Sequence, residues 1–79
     1  MTTATAIAIA RTLHAAFATD SGAAAVMVDR AGGLLPHEAE ALRFLTGHPA
    51  YHAGRPALKA KMEEAVEILR TVRRVAAAA

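Results

Sequence analysis

The sequence predicts an all-α protein: one domain of residues 1–79, a small bundle of three to four helices with a long C-terminal helix. Apolar residues recur at helical spacing over residues 56–76, with no glycine or proline after the first position. Alanine, the strongest helix former, supplies much of the 54% hydrophobic content. Convincing strands are missing, because the β-like run at 26–28 has no second strand to pair with.

The first predicted helix covers residues 3–19. Its first residues alternate threonine, alanine and isoleucine as a strand would, but the length and the alanine content favour a helix. On a helical wheel the threonines at 5, 12 and 19 lie opposite an apolar face. That face consists of Ala6, Ile9, Ala10, Leu13 and Phe17.

The second predicted helix covers residues 22–31 and is short. Asp20 and Ser21 precede it and offer an N-cap, and the glycines at 32 and 33 close it. The composition leaves a strand over 26–28 as an alternative. Helix is preferred, since an isolated strand would have no partner.

The third predicted helix covers residues 36–46. Pro36 suits its first position, and the acid at Glu38 lies near the favourable end of the helix dipole. We expect Gly47 to end the helix and Pro49 to enforce the stop, because a residue before proline avoids helical backbone. The predicted inner stripe is Leu35, Ala41, Leu42 and Leu45.

The last predicted helix begins at Pro56, organises the fold and is followed by a tail, residues 77–79, that we expect to fray. Other apolar residues flank its seam, so we expect more than one neighbouring helix to cover it. On the opposite face, Lys59–Glu63 and Glu67–Arg70 have the spacing of ion pairs. The seam residues are Leu58, Met62, Ala65, Leu69, Val72 and Ala76.

The linker over residues 47–55 collects the unusual side chains. His48 and His52 stand four apart, but no dedicated third ligand accompanies them, so we expect no metal and no cofactor. Tyr51 suits either an interface or a lid over the end of the core. The predicted partner-binding residues lie on this linker and on the last helix. They are His48, Tyr51, His52, Arg55, Arg70, Arg73 and Arg74.

Composition restricts the classes of protein. The absence of cysteine excludes disulfides and thiolate metal sites. A domain of 79 residues whose apolar residues are largely alanine has a sparse core, which predicts a homodimer. The net charge is +2 and the pI about 9.7, with the positive excess from Arg55 onward. With no membrane span and no secretory signal in the sequence, we expect a cytoplasmic protein.

An enzyme is the least supported function. Ser21, the sole serine, is interpreted as a cap, and no phosphate-binding loop or nucleophile–histidine pattern occurs. We therefore expect no catalytic residues. A domain this small also offers little room for a preorganised pocket.

The preferred interpretation is a non-enzymatic protein–protein interaction module that binds and occludes a partner. Its size and composition are typical of accessory or regulatory proteins, including those by which phages and mobile elements modulate a host. The alternative is a small nucleic-acid-binding or transcription-associated protein that uses the arginines of the last helix. Against it, a helix-turn-helix needs a short turn before its recognition helix, and the glutamates of the last helix would repel phosphate.

Overall fold

The computed structural model describes residues 1–30 and 33–78. That part of the chain contains no strand, which confirms the all-α prediction and excludes a strand at 26–28. None of the helices in the described ranges is long and apolar enough to cross a membrane. The helices are α1 (Thr3–Phe17), α2 (Asp20–Asp29), α3 (Pro36–Gly47), α4 (Pro49–Ala53) and α5 (Pro56–Ala78).

Helix α5 is the centre of the fold, and each of the other four helices contacts it. Most of the predicted seam is buried, and Leu58 at its start is half-buried. The wide apolar stripe thus has several neighbours, as predicted. The helix continues to Ala78, two residues beyond its predicted end at residue 76, and Ala79 lies outside the described residues. Regular helix is favoured there because Ala76 is buried and anchors the last turns. Fraying of the tail stays a prediction.

Helix α1 packs against both α3 and α5 through the face that the periodicity predicts. Ala6, Ala10 and Leu13 are buried, and Ile9 and Phe17 are half-buried. The small alanines let the neighbouring helices approach closely, so these residues contribute to packing although each has little apolar area.

The end of α1 and the start of α2 each differ from the predicted position by two residues. Helix α1 ends at Phe17, and Thr19 is the N-cap of α2, its Oγ1 accepting a hydrogen bond from the Gly22 N–H at 3.0 Å. The predicted caps, Asp20 and Ser21, are instead the first residues of α2. The predicted end of this helix at Ala31 and Gly32 lies outside the described residues.

Alanine substitution at two helical glycines should change the unfolding free energy in opposite directions. A Cβ at Gly22 would collide with the Ala16 carbonyl and the Thr19 side chain, whereas a Cβ at Gly47 meets no neighbouring atom within 4 Å. We expect Gly22→Ala to lower the unfolding free energy by roughly 1–3 kcal/mol through overpacking. Gly47→Ala should raise it by roughly 0.4–1 kcal/mol. Urea denaturation of both variants checks this pair, and stabilisation by Gly22→Ala would contradict the close helix approach.

Helix α3 does not end through a left-handed cap at Gly47, the reason that the glycine suggested. Among the described residues, Gly33 is the one with positive φ, at 130°, so Gly47 provides no left-handed cap. The stop comes from His48, which is extended (φ −77°, ψ 134°) as a residue before proline prefers to be. Beyond it, the predicted linker contains the one-turn helix α4.

The accessible surface of the single chain is that of an ordinary folded protein of its mass. It measures 4724 Å², close to the roughly 4,500 Å² expected for a folded monomer of 8.2 kDa. Dimerisation stays a prediction.

Candidate functional site

A basic groove lies between α3 and the C-terminal end of α5, with a volume of about 490 Å³. This volume is within the range of protein ligand sites, roughly 300–1,000 Å³. The lining residues combine an apolar floor with arginines on both sides. They are Gly33, Leu34, Ala39, Leu42, Arg43, Arg73, Arg74 and Ala77. We call this set the Arg43/Arg73/Arg74 groove.

Helical geometry places Arg43 at the edge of the buried stripe of α3, whereas on α5 Arg73 lies in line with the buried stripe and Arg74 is turned well away from it. Arg43 directly follows the buried Leu42 on α3, and Arg73 directly follows the buried Val72 on α5. One step along a helix turns the side chain by about 100°, so Arg43 leaves the core at its border. All three arginines are exposed. Because α3 packs against α5, the arginines of both helices come together and line the same groove.

The groove carries uncompensated positive charge. No acidic side chain is among its lining residues. The ion pairs within the described residues join Arg30 to Asp29 and Glu38, and Lys59 to Glu63, so none involves a groove arginine. An anionic group can therefore bind these guanidinium groups without displacing an internal partner.

The predicted ion pair between Glu67 and Arg70 is not formed in the described structure. Glu67 Oε1 instead accepts a long hydrogen bond from Thr71 Oγ1, at 3.5 Å. Arg70 is exposed and lies one helical turn before Arg73 and Arg74 on α5. It does not line the groove, but it adds positive charge at the same end of the molecule.

The predicted partner-binding residues fall into two separate groups. Arg55 immediately precedes α5, whereas Arg73 lies near its other end. At roughly 1.5 Å per residue, about 27 Å of helix axis separates these two positions. The arginines at 73 and 74 line the groove, and the linker residues lie at the opposite end of α5.

The linker side chains have structural uses at that opposite end. His48 Nδ1 accepts the Ala50 N–H at 3.1 Å and so caps α4. His52 Nε2 lies 2.8 Å from the Thr46 carbonyl oxygen, placed to donate to it. Tyr51 is half-buried against the core, which matches the interpretation as a lid. Within the described ranges no group of three or more potential metal-binding side chains converges.

Arg43 is the charged groove residue that sequence reasoning missed. Arg43 lies on α3, where the acids Glu38 and Glu40 outnumber it, so the net charge of that segment did not mark Arg43 as a basic contact. The available signal was its position next to Leu42 at the border of a predicted inner stripe. That signal becomes meaningful only when the facing helix is known.

A second missed feature is the buried ion pair between Arg30 and Glu38. Arg30 Nε and Nη2 donate to Glu38 Oε1 and Oε2 at 3.2 and 2.7 Å, and the Leu35 N–H donates to Oε1 at 2.9 Å. The Glu38 carboxylate is only 2% exposed. Burial alone would raise its pKa, but the Arg30 and Leu35 hydrogen bonds, with the charges of Arg30 and His37, leave the pKa below its ordinary value.

This pair also decides against a second groove as the binding site. That groove, about 360 Å³ between α1 and α3, includes Arg30 and Glu38 in its lining. The Glu38 hydrogen bond is the main cause that raises the pKa of Arg30, so its charge is already compensated. The pair ties the end of α2 to the start of α3 and serves the fold.

Comparison of the chain with protein-family models, curated proteins and solved structures gives no match.

Proposed function

We propose that this protein is a non-enzymatic interaction module in an accessory or regulatory role. It binds a protein partner through the Arg43/Arg73/Arg74 groove and thereby covers part of the partner's surface. The observation that carries the proposal is the combination of an apolar floor with three arginines that have no ion-pair partner in the described structure. Arginine is enriched at protein interfaces and among the residues that dominate their binding energy.

Nucleic-acid binding is the second candidate, because four arginines gather at one end of a chain with a pI of about 9.7. Two features favour a protein partner. The floor of Leu34 and Leu42 offers apolar contacts that a phosphate backbone cannot use. Helix α5, which carries two of the groove arginines, also exposes Glu63, Glu64 and Glu67, and these acids would repel a duplex lying along the helix.

A selection from a displayed random-peptide library tests the proposal. Peptides enriched on the wild-type protein should bind at least about tenfold more weakly to a variant with R43E, R73E and R74E, which is about 1.4 kcal/mol of binding free energy. The matched control carries R11E, R55E and K61E, the same charge change at exposed positions outside the groove. Equal binding of the selected peptides to both variants would place the contact elsewhere.

A gel shift with random-sequence duplex DNA separates the two candidates. We expect no discrete complex at physiological salt. A salt-sensitive complex that the groove variant loses and the control variant keeps would favour the nucleic-acid alternative, because phosphate contacts release counterions and weaken steeply with added salt. Circular dichroism of both variants establishes that each is folded, since exposed substitutions usually change stability by less than about 0.5 kcal/mol.

A further inference from the structure

We infer that the occupant of the Arg43/Arg73/Arg74 groove is an acidic amphipathic helix of the partner, with an apolar stripe between two rows of carboxylates. This inference rests on the proposed function and specifies the partner's chemistry. It follows from three properties of the groove: the elements that form its walls, the placement of its charges and the nature of its floor.

The walls favour a helix over other peptide conformations. An extended peptide gains affinity by adding to a sheet edge, and the described part of the chain has no strand. A polyproline segment docks on aromatic side chains, and none lines this groove. Two helices, α3 and α5, form the walls, and a third helix can lie between them with apolar residues at i, i+3 or i+4, and i+7.

The charges require carboxylates on both sides of that helix. Arg43 lies on the α3 wall, and Arg73 and Arg74 lie on the α5 wall. Each guanidinium presents a planar set of donors that matches a carboxylate bidentately. A bound helix therefore needs acidic residues along both edges of its apolar stripe, as the flanking positions of a coiled-coil seam provide.

The floor requires the apolar stripe itself. Leu42 is 7% exposed and Leu34 is half-buried, and the other uncharged lining residues are Gly33, Ala39 and Ala77. Apolar side chains of a partner are the groups that can cover these leucines and alanines. A phosphorylated loop would satisfy the arginines but leave this floor in water, so a phosphopeptide is a competing occupant for the test.

The test uses synthetic peptides and fluorescence anisotropy. The first peptide is a helix with a leucine stripe and glutamate rows on both flanks. The second has the same composition in an order that destroys the stripe, and the third is a flexible phosphoserine peptide. We expect saturable binding of the first peptide to the wild-type protein and binding at least about tenfold weaker for the other two.

Protein variants then assign the two rows of carboxylates. R43E and the pair R73E with R74E should each weaken the first peptide at least about tenfold, and R55E, remote from the groove, should not. A fourth peptide, with lysine in one glutamate row, should bind R43E better than it binds the wild-type protein. This exchange of charges distinguishes a seated helix from non-specific attraction to a basic surface.

The outcomes separate this inference from the proposed function. If the reordered peptide binds as well as the helix, or the phosphopeptide binds better, the inference is overturned while a protein-binding groove stands. The inference also fails if library peptides depend on the groove arginines but contain no acidic, amphipathic pattern. If no displayed or synthetic peptide depends on those arginines, the proposed function fails as well.

Discussion

Leu69→Ala is expected to lower the unfolding free energy by about 3 kcal/mol, within the range of roughly 2–5 kcal/mol for buried leucines. Leu69 is fully buried at the centre of α5, so truncation leaves a cavity among several helices. A domain of this size has a total stability of roughly 4–12 kcal/mol. The melting temperature should therefore fall by more than about 10 °C, as measured by circular dichroism at the α-helical minimum.

Leu58→Ala is the matched control for this substitution. It removes the same atoms from the same helix, but Leu58 is half-buried at the start of the seam. Only part of the side chain leaves water on folding, so we expect a loss of roughly 1 kcal/mol. Equal losses of unfolding free energy for the two variants would contradict the placement of Leu69 at the centre of the core.

Arg30→Ala is expected to have a comparable effect, a loss of about 3–5 kcal/mol. It removes the cation from Glu38 and leaves a carboxylate buried without its charge partner. Asp29→Ala is the control, because Asp29 lies 3.6 Å from Arg30 in an ion pair whose acid is 65% exposed. Exposed pairs contribute roughly 0–1 kcal/mol, so the control should lose little. Urea denaturation of both variants measures the difference.

Replacing both partners tests whether the loss comes from an unpaired charge. Arg30→Met combined with Glu38→Leu removes both charges and keeps the volume similar, so stability should recover towards the wild-type value. Recovery should be incomplete, because the Leu35 N–H loses the acceptor that Glu38 provides, at roughly 1 kcal/mol. A double variant as unstable as Arg30→Ala would contradict the electrostatic explanation.

The same pair predicts how stability depends on pH. The pKa of Glu38 is lower in the folded protein than its ordinary value of about 4.3, so in acid the unfolded chain binds the proton more readily. The stabilisation is complete above the ordinary value and is lost as pH falls through the folded-state value. We expect the wild-type protein to lose stability below about pH 4.3 more steeply than Glu38→Gln. Parallel acid-denaturation curves for the two proteins would contradict this.

The prediction of the helices succeeded because a helical pattern is local. The spacing of Met62, Leu69 and Val72 defines the buried side of α5 whatever packs against it, and the same holds for Ala6, Ala10 and Leu13 on α1. Proline before a helix and glycine after it are also local signals, although Gly47 shows that the residue type does not specify the backbone conformation.

Only part of the candidate site could be predicted from the sequence. Arg73 and Arg74 stand out as a basic pair on one helix, but Arg43 joins them across the contact between α3 and α5. The linker residues, which composition marked as unusual, lie at the other end of α5 and serve as caps and packing. The candidate residues of the linker and those of the last helix thus lie at opposite ends of α5.

The sequence by itself determined that the chain is all-α, where its main helices lie and which faces are apolar, because these follow from spacing along one chain segment. The tertiary structure alone decided that Arg43 faces the groove with Arg73 and Arg74, and that Arg30 is paired with a buried Glu38. The physical reason is that contacts between helices depend on their relative rotation and distance. Many side chains contribute jointly to that packing, and no single stretch of sequence encodes it.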